Sequence, residues 1–219
     1  MKIFSVTTIP IVSWSSDHAS SFRPRTLTLC ILCIGLTLFG IGDALLIASG
    51  AGNSPWTVLS QGVSQISGWS IGVTTFLTSL AVLFFWIPLK QNPGIGTILN
   101  VVIISIAIEV SLPYLPQPSI YAFQVVEAGL GILLVGFGSG LYLVANLGPG
   151  PRDGLMTGLQ RVTNLPLARV RTVIEVVVVI FGWLLGGAIG LGTLMFAFGI
   201  GPAVSVGLYL VNYFSIRST

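Results

Sequence analysis

The sequence predicts an all-α fold, a polytopic membrane helical bundle, and three observations carry that prediction. Apolar residues make up 53% of the 219-residue chain and charged residues only 7%, where an ordinary soluble domain carries about 25% charged residues. The Lys, Arg, Asp, Glu and His side chains leave two long blanks, from Asp43 to Lys90 and from Glu175 to Arg217. Despite 27 Gly and 12 Pro, the apolar stretches are uninterrupted and lack a Gly-X-Y period, which excludes a collagen-like or disordered chain. Mean hydropathy is +0.97.

A helix needs about 20 apolar residues to cross a bilayer, so the chain has room for about six crossings, and none for a separate soluble domain. Pro, Gly and Asn clusters mark the breaks. They delimit six expected spans: Leu27 to Ser49, Ile71 to Leu89, Ile95 to Leu112, Ile120 to Ala145, Leu167 to Gly186, and Leu191 to Val211. Residues 1–25 read as a flexible cytoplasmic tail. Their longest apolar run is broken by Thr7, Thr8, Pro10 and Ser13, and no A-x-A-like site follows, which argues against a signal peptide. Residues 26–115 and 116–213 form two membrane repeats of one integral domain, and 214–219 a second cytoplasmic tail.

Orientation follows from the basic residues. With both termini in the cytoplasm, Lys2, Arg23, Arg25, Lys90, Arg152, Arg161, Arg169, Arg171 and Arg217 all fall on inner segments, as the positive-inside rule requires. The net charge of +3 is therefore a topological signal, and a nucleic-acid partner is unnecessary to explain it. The expected partners are the lipid bilayer and a small-molecule or anionic solute, and a homo-oligomer is compatible with the sequence.

The chain also repeats itself at an offset of 96 residues. Gly40, Gly42, Leu45, Gly52 and Pro55 pair with Gly136, Gly138, Leu141, Gly148 and Pro151. Without a gap, Gly94, Gly96 and Thr97 then pair with Gly190, Gly192 and Thr193. Three spans in each half force the second copy to lie upside down relative to the first. Such inverted repeats recur in secondary transporters, whose solute sites lie near the repeat interface.

After the first span of each half comes a stretch too short to cross, Ser54 to Ser67 and Gly150 to Thr163. Pro at the first helical position, behind Ser54 and Gly150, predicts a short helix in both places. Two readings stand: re-entrant half-helices whose positive N-terminal ends face an anion-binding cavity, or amphipathic helices lying flat on the interface.

The stretches GDALLIASGAGNSPWTVLSQG (Gly42 to Gly62) and GSGLYLVANLGPGPRDGLMTGLQ (Gly138 to Gln160) resemble the YczE-like integral membrane proteins of the YczE/YyaS/YitT group in bacteria. The resemblance runs from about Arg25 to Tyr213 and leaves out the first 24 residues. It implies a multi-pass protein of the bacterial plasma membrane and says almost nothing about substrate.

Candidate solute-binding residues follow from polarity inside apolar spans. Ionisable groups in a bilayer are costly and mark ion or proton paths, which singles out Asp43, Glu109 and Glu127 toward the outer side, where they can converge; Asp43 and Glu109 are expected to face the bundle interior, and Glu127 is alternatively interfacial. Asn53 and Asn146, just ahead of the two short helices, join them. On the inner side Arg152 and Asp153 fall in the first turn of the second short helix. Asp153 suits the positive end of a helix dipole, whereas Arg152 opposes it and so needs an anionic ligand, a lipid headgroup, a partner carboxylate or a bare topological role in keeping the loop inside. Glu175, four residues after Arg171, reads as half of an intrahelical ion pair.

Enzyme groupings are absent from the pattern, and no cofactor or metal is expected. His18 is the lone histidine, so no His-based triad or His-rich metal site can form. Cys30 and Cys33 have C-x-x-C spacing inside a span, which fits two small apolar residues on one helix face. Gly-rich stretches such as Gly136 to Gly140 lack a preceding strand and a P-loop Lys and fit close helix packing. Tryptophans near span ends are expected at the membrane interface. Two functions survive: a secondary transporter or exporter of a small solute, and a non-transporting accessory or scaffold protein.

Overall fold

A computed structural model describes residues 9–19 and 23–217, and among them the chain is all-helical. The elements are α1 (Thr26–Ser49), α2 (Pro55–Ser67), α3 (Ile71–Phe84), α4 (Ile95–Ser111), a 3-10 turn at Leu112–Tyr114, α5 (Tyr121–Ala145), α6 (Pro151–Thr163), α7 (Leu167–Leu184) and α8 (Leu191–Arg217). Four of these are long and apolar enough to cross a membrane: α1, α4 with its 3-10 turn, α5 and α8. The bent pair α2 and α3, turned by 116° at their junction, makes a fifth if counted as one span. The expected spans at Ile71 to Leu89 and Leu167 to Gly186 are thus weaker than their apolar content suggests. α3 stops after 14 residues, and α7 carries Arg169, Arg171 and Glu175 in its first half.

The offset of 96 reappears in the backbone. α2 and α6 both have 13 residues and start at Pro55 and Pro151. Gly50, Gly52 and Gly68 take positive φ, and so do Asn146, Gly148 and Asn164, the residues 96 further on. Gly96 N donates to Leu147 O at 2.7 Å, and Gly192 N donates to Ala51 O at 2.8 Å. Each half therefore supplies the N–H that pairs the loop of the other.

α1 and α5 form the largest helix interface. A Cβ on Gly42 would meet Gly131 O at 2.7 Å, and one on Gly35 would meet Gly138 O at 2.9 Å. Since the partner number falls as the first rises, the two helices run antiparallel. Backbones this close leave no space for a side chain, the packing expected of small residues between membrane helices. Around this pair α4 packs on α1 and α8 on α5, while α2 packs on α7 and α6 on α3. Each short helix thus leans on the opposite half.

Trp56 and Arg152 are both one residue into their helices, and Arg152 Cζ lies 5.6 Å from the centroid of the Trp56 ring. They follow opposite ends of an antiparallel pair, each helix about 36 Å long at 1.5 Å per residue, so segments 50–54 and 146–150 both fold back toward the middle. In the first of these Ala51, Gly52, Asn53 and Ser54 are all buried. The N-termini of α2 and α6 face each other inside the bundle.

Two expectations are corrected. The described part of the N-terminal tail is held in place: Trp14 O accepts from Thr28 Oγ1 at 2.5 Å, Ser16 N donates to Ala145 O, and Trp14 Nε1 donates to Ser215 Oγ at 3.2 Å. Val12 and Trp14 pack on buried Val144 and Leu208. Trp56 and Trp86 are buried rather than interfacial, because Trp86 fills the gap over Gly154 and its Nε1 reaches Pro151 O at 2.9 Å. Trp69 and Trp183 are exposed as expected.

Gly148 (φ 110°) offers a sharp test of the loop. A Cβ there would meet Gly94 Cα and Thr97 Oγ1, both at 2.9 Å, in a left-handed conformation that a side chain resists. Gly148→Ala is expected to destabilise the purified protein by about 1–3 kcal/mol. Gly201→Ala, with nothing within 4 Å, should be neutral or slightly stabilising; thermal unfolding in micelles measures both.

Candidate functional site

The N-termini of α2 and α6 open onto a cavity of about 240 Å³. Its polar lining comes from Asn100 on α4, Ser139 and Tyr142 on α5, Arg152 and Asp153 on α6, and Arg171 and Glu175 on α7. Apolar walls come from Phe39, Ile104, Val135, Phe196 and Ile200. Many lining positions are 96 apart: Phe39 and Val135, Pro55 and Pro151, Trp56 and Arg152, Asn100 and Phe196, Ile104 and Ile200.

Proline at the first position gives each short helix its start and removes an N–H that would otherwise lack a partner. Neither N-terminus has a side-chain cap. In α2 the Ser54 hydroxyl turns instead to Thr57 Oγ1, at 2.7 Å. In α6 Asp153 sits in the first turn, where its charge complements the helix dipole, and its Oδ2 accepts from Tyr142 OH at 2.6 Å. Arg152 lies with its guanidinium over the Trp56 ring, the cation–π placement. Among the described residues Arg152 makes no ion pair; the pair present is Arg171 Nε to Glu175 Oε1 at 2.8 Å, as the spacing predicts.

Asp43 is fully enclosed in the bundle. Ser54, Thr57 and the charge of Arg152 are the groups that act on it. A buried carboxylate depends on nearby hydroxyl donors and positive charge or on protonation, and Ser54, Thr57 and Arg152 are the groups in that position. Asp43, Arg152 and Asp153 therefore belong to one group of interacting side chains at the junction of the two short helices.

The other expected residues lie elsewhere. Glu109 is exposed, and its Oε2 accepts from Gly72 N in the first turn of α3 at 3.1 Å; it does not face the bundle interior, because it pairs with that helix end. Glu127 is buried with both oxygens unpartnered, outside the cavity. Among the described residues no hydrogen bond or ion pair joins the three acids. Asn53 is buried and donates to Gln61 Oε1 at 2.8 Å, an oxygen that also accepts from Ala188 N, so it ties the loop through α2 to the connection between α7 and α8. Asn146, exposed at the end of α5, donates to Ser16 O at 2.8 Å.

Tyr142, Asn100, Ser139 and Trp56 were not singled out by polarity alone. The repeat carries their signal: Ser139 is the counterpart of Asp43, and Trp56 the counterpart of Arg152. Tyr142 lies one turn beyond Ser139 on the same face of α5.

Apolar crossing helices around a buried polar cavity define an integral membrane protein. The chain belongs to the family described as a family of unknown function (DUF6198), whose model matches residues 26–208. It is 41% identical over 206 residues to an uncharacterized protein of Haemophilus influenzae, covering 94% of each chain. It is 33% identical over 196 residues to the uncharacterized membrane protein YczE of Bacillus subtilis, covering 87% of this chain and 88% of that protein. A third relative, the uncharacterized protein YyaS of Bacillus subtilis, is 26% identical over 167 residues, covering 74% of this chain and 83% of the relative. No solved structure matches. The resemblance to YczE and YyaS read from the sequence is thereby borne out.

Tyr142→Phe removes the donor to Asp153 and leaves that carboxylate without its hydrogen bond. The variant is expected to lose about 1–3 kcal/mol of stability, read by thermal unfolding. An unchanged midpoint would mean that Asp153 has another partner.

Proposed function

We propose that the chain is a secondary transporter or exporter of a small solute, with six crossings arranged as two inverted three-crossing repeats around the central cavity. The observation that supports this most directly is the lining of that cavity by pairs of residues 96 apart, since solute sites of such transporters lie where two repeats meet. In this reading α3 with the turns after it and α7 complete the six crossings. The charged start of α7 sits at the inner surface, and both termini are cytoplasmic in a bacterial plasma membrane.

The facing N-termini of α2 and α6 are the positive ends of two helix dipoles, and Arg152 adds a full charge, so an anionic group on the solute is favoured. Irregular backbone inside a membrane is tolerated where protein buries it and a cavity adjoins it, which describes segments 50–54 and 146–150. The reading takes the chain as a carrier and not an enzyme, with no cofactor and no nucleic-acid partner.

Orientation is checked by reporter fusions, expected to read outside after Pro116 and inside after Gln91; the reverse result refutes it. Function is checked in proteoliposomes with a panel of labelled carboxylates, phosphate and amino acids under an imposed proton gradient. Gradient-dependent uptake of at least one solute is expected, with Arg152→Gln lowering it about tenfold or more, the loss of a charge-assisted contact, at unchanged insertion. No uptake across the panel by the unaltered protein would replace this reading with that of an accessory or scaffold protein.

A further inference from the structure

The ionisable side chains that line the cavity are Arg152 and Asp153 on α6 and Arg171 and Glu175 on α7, with Tyr142 on α5, and the charges of the first four cancel. Arg171 and Glu175 hold each other at 2.8 Å. Arg152 and Asp153 are neighbours in sequence, yet among the described residues neither makes an ion pair. Successive side chains on a helix diverge by about 100°, and each of these two is drawn to a different wall. The Arg152 guanidinium lies over Trp56 of α2, 5.6 Å from the ring centroid. Asp153 Oδ2 accepts from Tyr142 OH of α5 at 2.6 Å. A cation and an anion thus stand in one cavity, held off each other by two other helices.

We infer that the cavity binds an α-amino acid with an apolar side chain as its zwitterion, the carboxylate on Arg152 and the ammonium on Asp153. The inference rests on the cavity being the solute site and adds its substrate class. A guanidinium presents a planar fork that matches a carboxylate through two parallel hydrogen bonds. The N-terminus of α2, which no side chain caps, adds the positive end of its dipole on the Trp56 side. An ammonium brings three donors, and Asp153 keeps Oδ1 to accept one of them beyond the bond that Tyr142 makes to Oδ2.

Charge balance separates this solute from a simple anion or amine, because an unmatched charge away from bulk water is costly. A lone anion would put the cavity, whose own charges already cancel, one negative charge in excess. Asp43, buried in the bundle outside the cavity lining, would add to that excess when ionised. A lone amine would leave Arg152 without a partner. A zwitterion adds no net charge and answers both free side chains at once. Phe39, Ile104, Val135, Phe196 and Ile200 offer apolar walls to its side chain. At about 240 Å³ the space is smaller than the roughly 300–1,000 Å³ of pockets for drug-sized ligands, which suits one amino acid and not a peptide. Trp56 and Thr57 stand in the first half where Arg152 and Asp153 stand in the second, so the repeat supplies no second copy of this pair.

Calorimetry on the full-length protein in micelles tests this with leucine, valine, methionine and phenylalanine, each beside its deaminated and its decarboxylated analogue; for leucine these are isocaproate and isoamylamine. The unaltered protein is expected to bind at least one of the four amino acids about tenfold or more tightly than either of its analogues, the worth of one charge-assisted contact. Asp153→Asn should remove the preference over the carboxylate analogue and keep the preference over the amine, and Arg152→Gln should do the reverse. A folding defect would weaken all three ligands alike, so the crossed pattern marks direct contact. An analogue that binds the unaltered protein as tightly as its amino acid overturns the inference. So does failure of all four amino acids to bind, and neither result needs a variant to fold. Loss of both preferences together in either variant refutes the assignment of the two groups. Selective binding without flux in proteoliposomes refutes transport and leaves this site standing, whereas flux of phosphate or a simple carboxylate with no amino acid bound does the opposite.

Discussion

Backbone amides that leave a helix inside an apolar bundle must find partners, and two N–H to O=C bonds meet that demand at the centre of this molecule. Gly96 reaches Leu147, and Gly192 reaches Ala51. Without them the segments 50–54 and 146–150 would carry unpaired groups into a medium that has no water to replace them, at several kcal/mol each. With them, both loops can turn inward and deliver the starts of α2 and α6 to the same place. The close glycine contacts of α1 with α5 serve the same end, because loops of five residues reach the middle only if the helices they leave are nearly in backbone contact.

A scaffold so nearly repeated is filled with unlike chemistry. Trp56 faces Arg152, Asp43 corresponds to Ser139, and Asn100 corresponds to Phe196. Backbone positions with positive φ and tight glycine contacts recur in both halves, since they answer to geometry. Pro55 and Pro151, and Ile104 and Ile200, recur at the cavity, but its polar side chains do not. One half contributes an aromatic face and a buried acid, and the other a cation, an acid and a phenol.

Much of the fold was legible in the sequence because its signals are local or periodic. Pro55 and Pro151 mark two helix starts wherever they occur in space, and the constant offset of 96 ties them together. The Arg171 and Glu175 pair follows from one turn of helix. The surroundings of Asp43, Glu109 and Glu127 were not legible, because they depend on how far each connection folds back. Glu109 lies at the end of α4, where the first turn of α3 offers Gly72 N, and nothing in spacing reveals that neighbour. Trp86 looked like an interfacial anchor from its place near a span end, yet Gly154, distant in sequence, leaves the space that buries it.

The N-terminal strap at residues 12–16 has a consequence for the energetics of the whole chain. Where two halves share one backbone plan, two conformations related by exchanging the roles of the halves would make the same main-chain contacts, and their energies would be degenerate. The strap binds one end alone, through Thr28, Ala145, Asn146 and Ser215. Gly50, the counterpart of Asn146, has no side chain with which to hold such a segment. A stretch of five residues outside the repeat thus makes the two ends of the bundle inequivalent.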